Sequence, residues 1–192
     1  MKKGALSGLR VIDFGQYIAG PMASMILSDY GADVIHVDPP GGPVWNGFEA
    51  NAVLMRGKQN ITLDLKNQEE NAIAKRLIET ADVVIENFRP GVMNKLGLGT
   101  DIFKQSNPAL IYCSMPGFSA SDNRFNIRGW EGIISAEAGL YTDVLTGQTR
   151  FNTLYLASVF AAVMACHSIV AALIVRHKYG CGQSIEVPLY DA

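Results

Sequence analysis

The sequence has few cysteines and almost no excess of either charge. Its only cysteines, Cys113, Cys166 and Cys181, form no C-x-x-C pair, so we expect reduced thiols and a cytoplasmic protein. The 16 basic and 18 acidic residues give a formal charge of −2, which provides no overall attraction to nucleic acid. Arg10 and Asp13 come too early in the chain for a signal peptide, so none is expected.

Familiar cofactor motifs are also missing. There is no Walker loop, no G-x-S-x-G elbow and no G-x-G-x-x-G after the first predicted strand, so we do not expect a dinucleotide fold of the usual kind. His36, His167 and His177 are far from one another in sequence and from any cysteine pair. This spacing argues against a bound metal.

One long apolar run fits either a membrane span or a core helix. Residues 154–175 carry no formal charge, and the run is long enough to cross a bilayer. However, it is rich in alanine and contains Ser158, Cys166 and Ser168, which lower its hydropathy. We therefore expect a fully buried helix, from about residue 153 to 179, in a protein that does not enter the membrane.

Short apolar runs alternate with helical patterns along the chain, in which 48% of residues are hydrophobic. Asn67 is a candidate helix cap, with Glu69 and Glu70 in the first turn after it. The order predicts an α/β fold, an open and mostly parallel sheet with flanking helices. We expect residues 1–192 to be an incomplete part of one domain, with no separate second domain. Strands are expected at 9–14, 33–37, 61–65, 81–86, 109–114 and 184–189, with a loop of roughly 20 residues between the second and third.

The segment 86–91 is a candidate anion site. It follows a predicted strand and opens a predicted helix, where free N–H groups and the helix dipole favour negative charge. Arg89 and Lys95 add positive charge, and Phe88 offers an apolar face. The segment also fits an ordinary strand-to-helix turn with a solvated arginine, and the residues alone do not separate the two.

Five segments together identify a family resemblance over residues 6–192. They read L-R-V-I-D-F with A-G-P at 9–21, G-A-D-V-I at 31–35, R-G-K-Q-N-I-T-L-D-L-K at 56–66, A-D-V-V-I-E-N-F-R-P-G-V-M at 81–93 and G-C-G-Q-S-I-E-V at 180–187. In this order they resemble the family III CoA-transferases, which include formyl-CoA transferase, carnitine CoA-transferase and the bile-acid-inducible acyl-CoA transferases. The chain looks like the N-terminal half of such a protein, with a Rossmann-like large domain.

The resemblance implies which residues hold coenzyme A. It implies an acyl-CoA thioester and a carboxylic acid acceptor as substrates, a homo- or heterodimer with a family homologue, and no metal. Basic side chains would meet the phosphates, and Leu63 and Phe88 would lie on either side of the adenine. The residues at the matching positions are Ile18, Ala19, Leu63, Lys66, Asn87, Phe88, Arg89, Val92, Lys95 and Arg128.

Two positions depart from the family pattern. An arginine that the family often has after its second strand is replaced by Pro39 and Pro40. The family's nucleophilic aspartate, near the start of the long helix, aligns with Ser158, and residues 144–185 contain no carboxylate. A serine hydroxyl without a neighbouring base is a weak nucleophile. We therefore assign no catalytic residue and expect the chain alone to transfer CoA poorly.

Three functions stay open within this resemblance. The first is an active CoA-transferase. The second is a non-catalytic subunit or truncated homologue that works beside an aspartate-bearing chain. The third is an acyl-CoA racemase, which needs an acid/base pair beside the α-carbon, typically His and Asp, whereas residues 117–132 contain no histidine.

Overall fold

The protein forms a six-stranded sheet in which all neighbouring strands are parallel. The computed structural model describes residues 4–43, 49–151 and 154–192. The predicted α/β class with an open parallel sheet is confirmed. The strands are β1 (Arg10–Asp13), β2 (Asp33–Asp38), β3 (Gln59–Thr62), β4 (Val83–Glu86), β5 (Ile111–Ser114) and β6 (Ser184–Glu186).

The strand order is β3-β2-β1-β4-β5-β6. The chain starts in the middle of the sheet, builds outward to β3, then returns to place β4 on the other side of β1. This is the strand order of dinucleotide-binding folds, so the expectation drawn from the missing glycine motif is wrong for the topology. The direction of winding reverses between β1 and β4, and their carboxyl ends form the sheet's switch point.

Seven helices are described, and two differences from expectation lie between β2 and β3. The expected loop between β2 and β3 contains a short helix, and β3 starts at Gln59 rather than Ile61. Since β3 is an edge strand, its polar Gln59 and Asn60 can pair with β2 while their side chains face water. The helices are α1 (Ala19–Asp29), α2 (Glu49–Leu54), α3 (Gln68–Glu79), α4 (Val92–Lys95), α5 (Thr100–Phe103), α6 (Glu131–Glu137) and α7 (Leu156–Tyr179).

Each face of the sheet has its own apolar layer. Successive side chains on a strand point to opposite faces, so Val11 packs with α1 and α7 while Ile12 packs with α3. The expected cap of α3 is confirmed, since the Asn67 side chain accepts hydrogen bonds from the backbone N–H groups of Glu69 and Glu70 at 2.9 and 3.2 Å. Central strands are buried on both sides, as expected for a parallel sheet.

The long helix α7 is buried on one side only. Its Ala161 and Ala165 are fully buried, and Cys166 Sγ lies 3.3 Å from the carbonyl oxygen of Ala23 on α1. On its other side, Phe160 is 56% exposed and Ile174 55% exposed. The prediction of a fully buried helix is therefore wrong for half of the surface. By length and composition, with a mean hydropathy of 2.3, α7 is apolar enough to cross a membrane, and 39% of its most apolar window is buried.

We predict that α7 stays packed on the sheet and does not insert into a bilayer. Ala165→Lys should unfold the protein, because a lysine would be buried without a partner between α7 and the sheet. Ile174→Lys should leave the melting temperature close to that of the parent, since this position already faces outward. The measurements are thermal melts and fractionation after a carbonate wash. Retention of both the parent and Ile174→Lys in the washed membrane pellet would contradict the prediction.

Candidate functional site

The loops that follow β1 and β4 meet at the switch point of the sheet. The backbone N–H of Gln16 donates to Asn87 Oδ1 at 2.7 Å, and Asn87 Nδ2 donates to the carbonyl oxygen of Gln16, also at 2.7 Å. The two loops are therefore locked together by a reciprocal pair. Ligands of open α/β sheets bind in the crevice at this point, outside the carboxyl ends of the strands.

The loop after β1 follows a tight path and contains a strained residue. A Cβ added to Gly15 would lie 2.6 Å from the Cα of Gly20, so the start of α1 can approach the end of β1 only with glycines at both positions. Tyr17 has a φ of 62°, which is uncommon for a residue that carries a Cβ. Strained residues of this kind concentrate at functional sites, where the surrounding structure fixes them.

A buried charge cluster supports this loop from below. Asp13, at the end of β1, accepts a hydrogen bond from the N–H of Gly15 at 2.8 Å. Its Oδ2 also lies 2.8 Å from His36 Nδ1 and 3.2 Å from Lys58 Nζ, and all three side chains are at most 1% exposed. Burial alone would raise the pKa of Asp13, but the charge of Lys58 and the hydrogen bond with His36 hold it well below its usual range.

The residues expected to bind CoA range from buried to exposed. Ala19 and Leu63 are buried in the two apolar layers, so their side chains contribute packing there, while Phe88 is half-buried in the same layer as Leu63. Ile18 precedes α1, and Val92 opens α4; both are partly exposed. The exposed members are the cations Lys66, Arg89, Lys95 and Arg128.

These cations do not all belong to the switch point. Arg89 lies in the loop after β4 and Lys95 ends the short helix that follows, so both are close in sequence to Asn87. Lys66 follows β3, which is separated from β4 by two strands. Arg128 lies before α6, on a segment held against the end of β5 by the close approach of Gly129 to Gly117.

Glu86 is a buried carboxyl group directly below the second loop. It is 6% exposed, and it accepts hydrogen bonds from the Ser114 hydroxyl and from the N–H of Phe88. Burial raises its pKa to about 7, with a smaller contribution from the charge of Glu186, against the lowering effect of those hydrogen bonds. Glu86 therefore changes its protonation near neutral pH while touching the backbone of the site.

Ser158 has a carboxylate neighbour, contrary to expectation. The Ser158 hydroxyl donates to Glu131 Oε2 at 2.6 Å, although the two residues are 27 positions apart. The N–H of Ser158 donates to the same oxygen, and the N–H of Ala157 to Oε1, each at 2.9 Å. Because α7 leads into β6, which is parallel to β5, this helix starts at the carboxyl edge of the sheet.

The sequence reasoning missed Gln16 and Glu131. Gln16 takes part through its backbone, which leaves no trace in residue type. Glu131 could have been noticed only as an acidic residue in the first turn of a short amphipathic helix. Among the described residues there is no group of three or more His, Cys, Asp or Glu side chains placed to hold a metal ion.

The strand order and its switch point define a doubly wound class of α/β domain, and sequence comparison identifies the family. The pattern of CoA-transferase family III matches residues 6–192, so the chain belongs to this family, as the motifs indicated. The matched segments include both loops of the switch point and the start of α7.

Relatives and solved structures agree with this assignment. The CoA-transferase/lyase DddD of Marinomonas sp. is 47% identical over 97% of the chain, which corresponds to 23% of its own length. The human alpha-methylacyl-CoA racemase is 34% identical over 97% of the chain and 48% of its own length. The solved structure of the hypothetical protein Rv3272 from Mycobacterium tuberculosis superposes with a TM-score of 0.92 at 34% identity, over all of this chain and 56% of that one. The chain thus spans between about a quarter and a little over half of the length of these proteins.

Proposed function

We propose that the chain binds coenzyme A and acyl-CoA thioesters at the switch point and takes part in moving CoA between a thioester and a carboxylic acid. The observation that carries this proposal is the locked pair of loops, joined by Gln16 and Asn87 at 2.7 Å, in a member of CoA-transferase family III. A preformed crevice lowers the ordering cost of binding a long, flexible ligand.

The cations around the crevice suit the phosphates of CoA. Arg89 is exposed on the loop that Asn87 fixes, and Lys95 follows within the next helix. Both can reach a polyanion without breaking an ion pair described for them. Phe88, half-buried beside them, offers an apolar edge for the adenine. Lys66, after the edge strand β3, and Arg128, before α6, lie further from the switch point, and we propose that they add to the attraction of the phosphates.

A relative that is 34% identical over 97% of the chain is named as the alpha subunit of a succinyl-CoA--L-malate CoA-transferase, which favours work in an assembly. We propose that it pairs with a second family chain in the cytoplasm, as a homo- or heterodimer, and that the acceptor acid binds within that assembly. Racemisation is not proposed, because the contacts described for Glu131 and Ser158 include no histidine to complete an acid/base pair.

We predict that CoA binding depends on charge at Arg89 and Lys95. Arg89→Ala and Lys95→Ala should each weaken CoA binding by about 1–3 kcal/mol, the range for charge-assisted hydrogen bonds. Isothermal titration of the chain with CoA at low and high salt measures this effect. The control is Lys178→Ala, since this exposed lysine ends α7 at the opposite edge of the sheet and should not affect binding. Unchanged affinity in both site variants would refute the proposed site.

A further inference from the structure

We propose that Glu131 is the residue to which the acyl group and CoA are transferred, in place of a carboxylate at position 158. This inference rests on the proposed function and adds the residue that carries the chemistry. It follows from the contacts of Glu131 with Ala157 and Ser158, which bring a carboxylate from a different helix to the start of α7.

The contacts place the Glu131 carboxylate where a longer side chain at 158 would end. Ser158 Oγ is 2.6 Å from Glu131 Oε2. An aspartate at 158 would carry its own oxygens about one bond beyond the Oγ position, hence into direct contact with the Glu131 carboxylate. Position 158 does not need to provide the carboxylate, because Glu131 already occupies that space.

One oxygen of Glu131 is better placed to attack than the other. Oε2 accepts two hydrogen bonds, from the N–H and the hydroxyl of Ser158. Oε1 accepts one good hydrogen bond, from Ala157 at 2.9 Å, and lies 3.5 Å from Ser135 Oγ, at the limit of hydrogen bonding. Oε1 therefore keeps a lone pair that can attack a carbonyl carbon.

The surroundings of Glu131 suit an acyl thioester. Glu131 is half-buried rather than fully buried. Trp130 is 59% exposed, and its ring lies against the first turn of α6 beside Gly132. Ile133 is 37% exposed on the same turn. Together these side chains put exposed apolar surface on the turn that carries Glu131.

The reaction balances without any other reagent. Oε1 attacks the thioester carbonyl, the C–S bond breaks, and CoA leaves as a thiolate, which gives a mixed anhydride with Glu131. The thiolate then attacks the Glu131 carboxyl carbon, and the donor acid departs with Oε1. The acceptor carboxylate attacks the resulting glutamyl thioester, releasing CoA thiolate. Attack of that thiolate on the acceptor's acyl carbon forms the new thioester and frees Glu131.

The start of α7 stabilises the charge that this sequence develops. When the thiolate attacks the Glu131 carboxyl carbon, negative charge moves onto Oε2. The N–H and hydroxyl of Ser158 already point at that atom, at 2.9 and 2.6 Å. Donors fixed before the reaction at such distances act as an oxyanion hole. Ser158 is therefore a positioning and stabilising residue rather than the nucleophile.

The test is covalent trapping on the whole chain. The protein is incubated with acetyl-CoA and hydroxylamine, and peptide mass spectrometry locates any hydroxamate. We expect modification at Glu131 in the parent and a decrease on the order of 10³-fold or more in Glu131→Gln. Gln keeps an oxygen that can accept from Ser158, but its NH2 group would face the Ala157 N–H, so a thermal melt checks that the variant is folded before it is trapped. Glu137→Gln, an exposed carboxylate on the same helix, is the matched control and should trap normally.

A second readout separates chemistry from a capping role. Acetate labelled with heavy oxygen, supplied with acetyl-CoA, should transfer label into the Glu131 carboxylate of the parent and of Ser158→Ala, more slowly in the latter. Titration with acetyl-CoA is run beside it. A parent that binds acetyl-CoA but shows neither adduct nor label at Glu131 overturns this inference and leaves the proposed function in place. An acyl group found on Ser158 also overturns it, whereas absence of any CoA binding overturns the proposed function itself.

Discussion

Replacing Asp13 by alanine should cost about 3–5 kcal/mol of folding free energy, because Lys58 would then be buried without its counter-charge. Both side chains are at most 1% exposed, and their charged atoms are 3.2 Å apart. Burial already lowers the pKa of Lys58, an effect that the attraction of Asp13 only partly offsets. Asp13→Ala also removes the acceptor of the Gly15 N–H, so the first loop of the site should lose order.

Chemical denaturation of Asp13→Ala measures this loss, with Asp33→Ala as the matched control. Asp33 pairs with Arg10 at 3.7 Å on the same sheet, but both are 45% exposed, so its removal should cost only about 0–1 kcal/mol. The double variant Asp13→Asn with Lys58→Met should recover part of the loss, because it removes both buried charges. If Asp13→Ala unfolds at the same denaturant concentration as Asp33→Ala, the cluster does not stabilise the fold.

The decrease in the free energy of unfolding at acid pH should also depend on Asp13. Its pKa in the folded protein is depressed, so its contribution is complete above the ordinary aspartate pKa of about 4 and declines as the pH falls below that value. Asp13→Asn should therefore flatten the pH dependence of unfolding on the acid side. The same comparison with Asp33→Ala shows whether the effect comes from the buried cluster.

Local signals in the sequence were enough to predict the class of fold. β1 and β4 are fully apolar between charged ends, and α3 carries its cap and acidic first turn, so each could be located from neighbouring residues alone. The parallel arrangement follows from the alternation of these elements. The bounds of β3 differ from the expected 61–65 because an edge strand tolerates polar residues, so its ends are not marked by an apolar run.

The faces of the helices could not be predicted in the same way. α7 is apolar all round, so its sequence has no periodic pattern to mark the side that meets α1. The structure buries the side rich in alanine, since small residues allow the two helices to approach closely, and exposes larger residues such as Phe160 and Ile174. Which face packs is decided by shape, which hydropathy does not record.

The candidate site was predicted in part, and the missing part is tertiary. Asn87, Phe88 and Arg89 can be proposed from the sequence because a loop after a strand is local in sequence. The Glu131–Ser158 contact joins two helices, and the sequence between them offers no pattern that fixes their separation. The Asp13 cluster was missed for the same reason, because His36 and Lys58 reach Asp13 only through the pairing of β1 with β2 and the course of the chain before β3.

Glu86→Gln should raise stability above neutral pH and remove a fall in stability that the parent shows between about pH 4.5 and 7. In the folded chain the pKa of Glu86 is raised from its ordinary 4.5 to about 7, chiefly by burial. The folded state holds this proton more tightly than the unfolded state. The contribution of Glu86 to the free energy of unfolding is therefore complete below about pH 4.5, and it is lost as the pH rises to 7. A pKa change of this size corresponds to at most about 3 kcal/mol once both states are ionised.

Gln is nearly isosteric with Glu and keeps an oxygen to accept from the Phe88 N–H at 2.9 Å, so the loop should keep its conformation. Thermal melts of the parent and Glu86→Gln at several values between pH 5 and 8 test the prediction. We expect the variant to be more stable by about 1–3 kcal/mol at pH 8 and close to the parent at pH 5. Glu69→Gln, an exposed carboxylate in the first turn of α3, should leave the slope of the parent unchanged. Parallel pH profiles for the parent and Glu86→Gln would show that Glu86 is ionised in the folded chain throughout this range, because its burial then imposes no proton uptake.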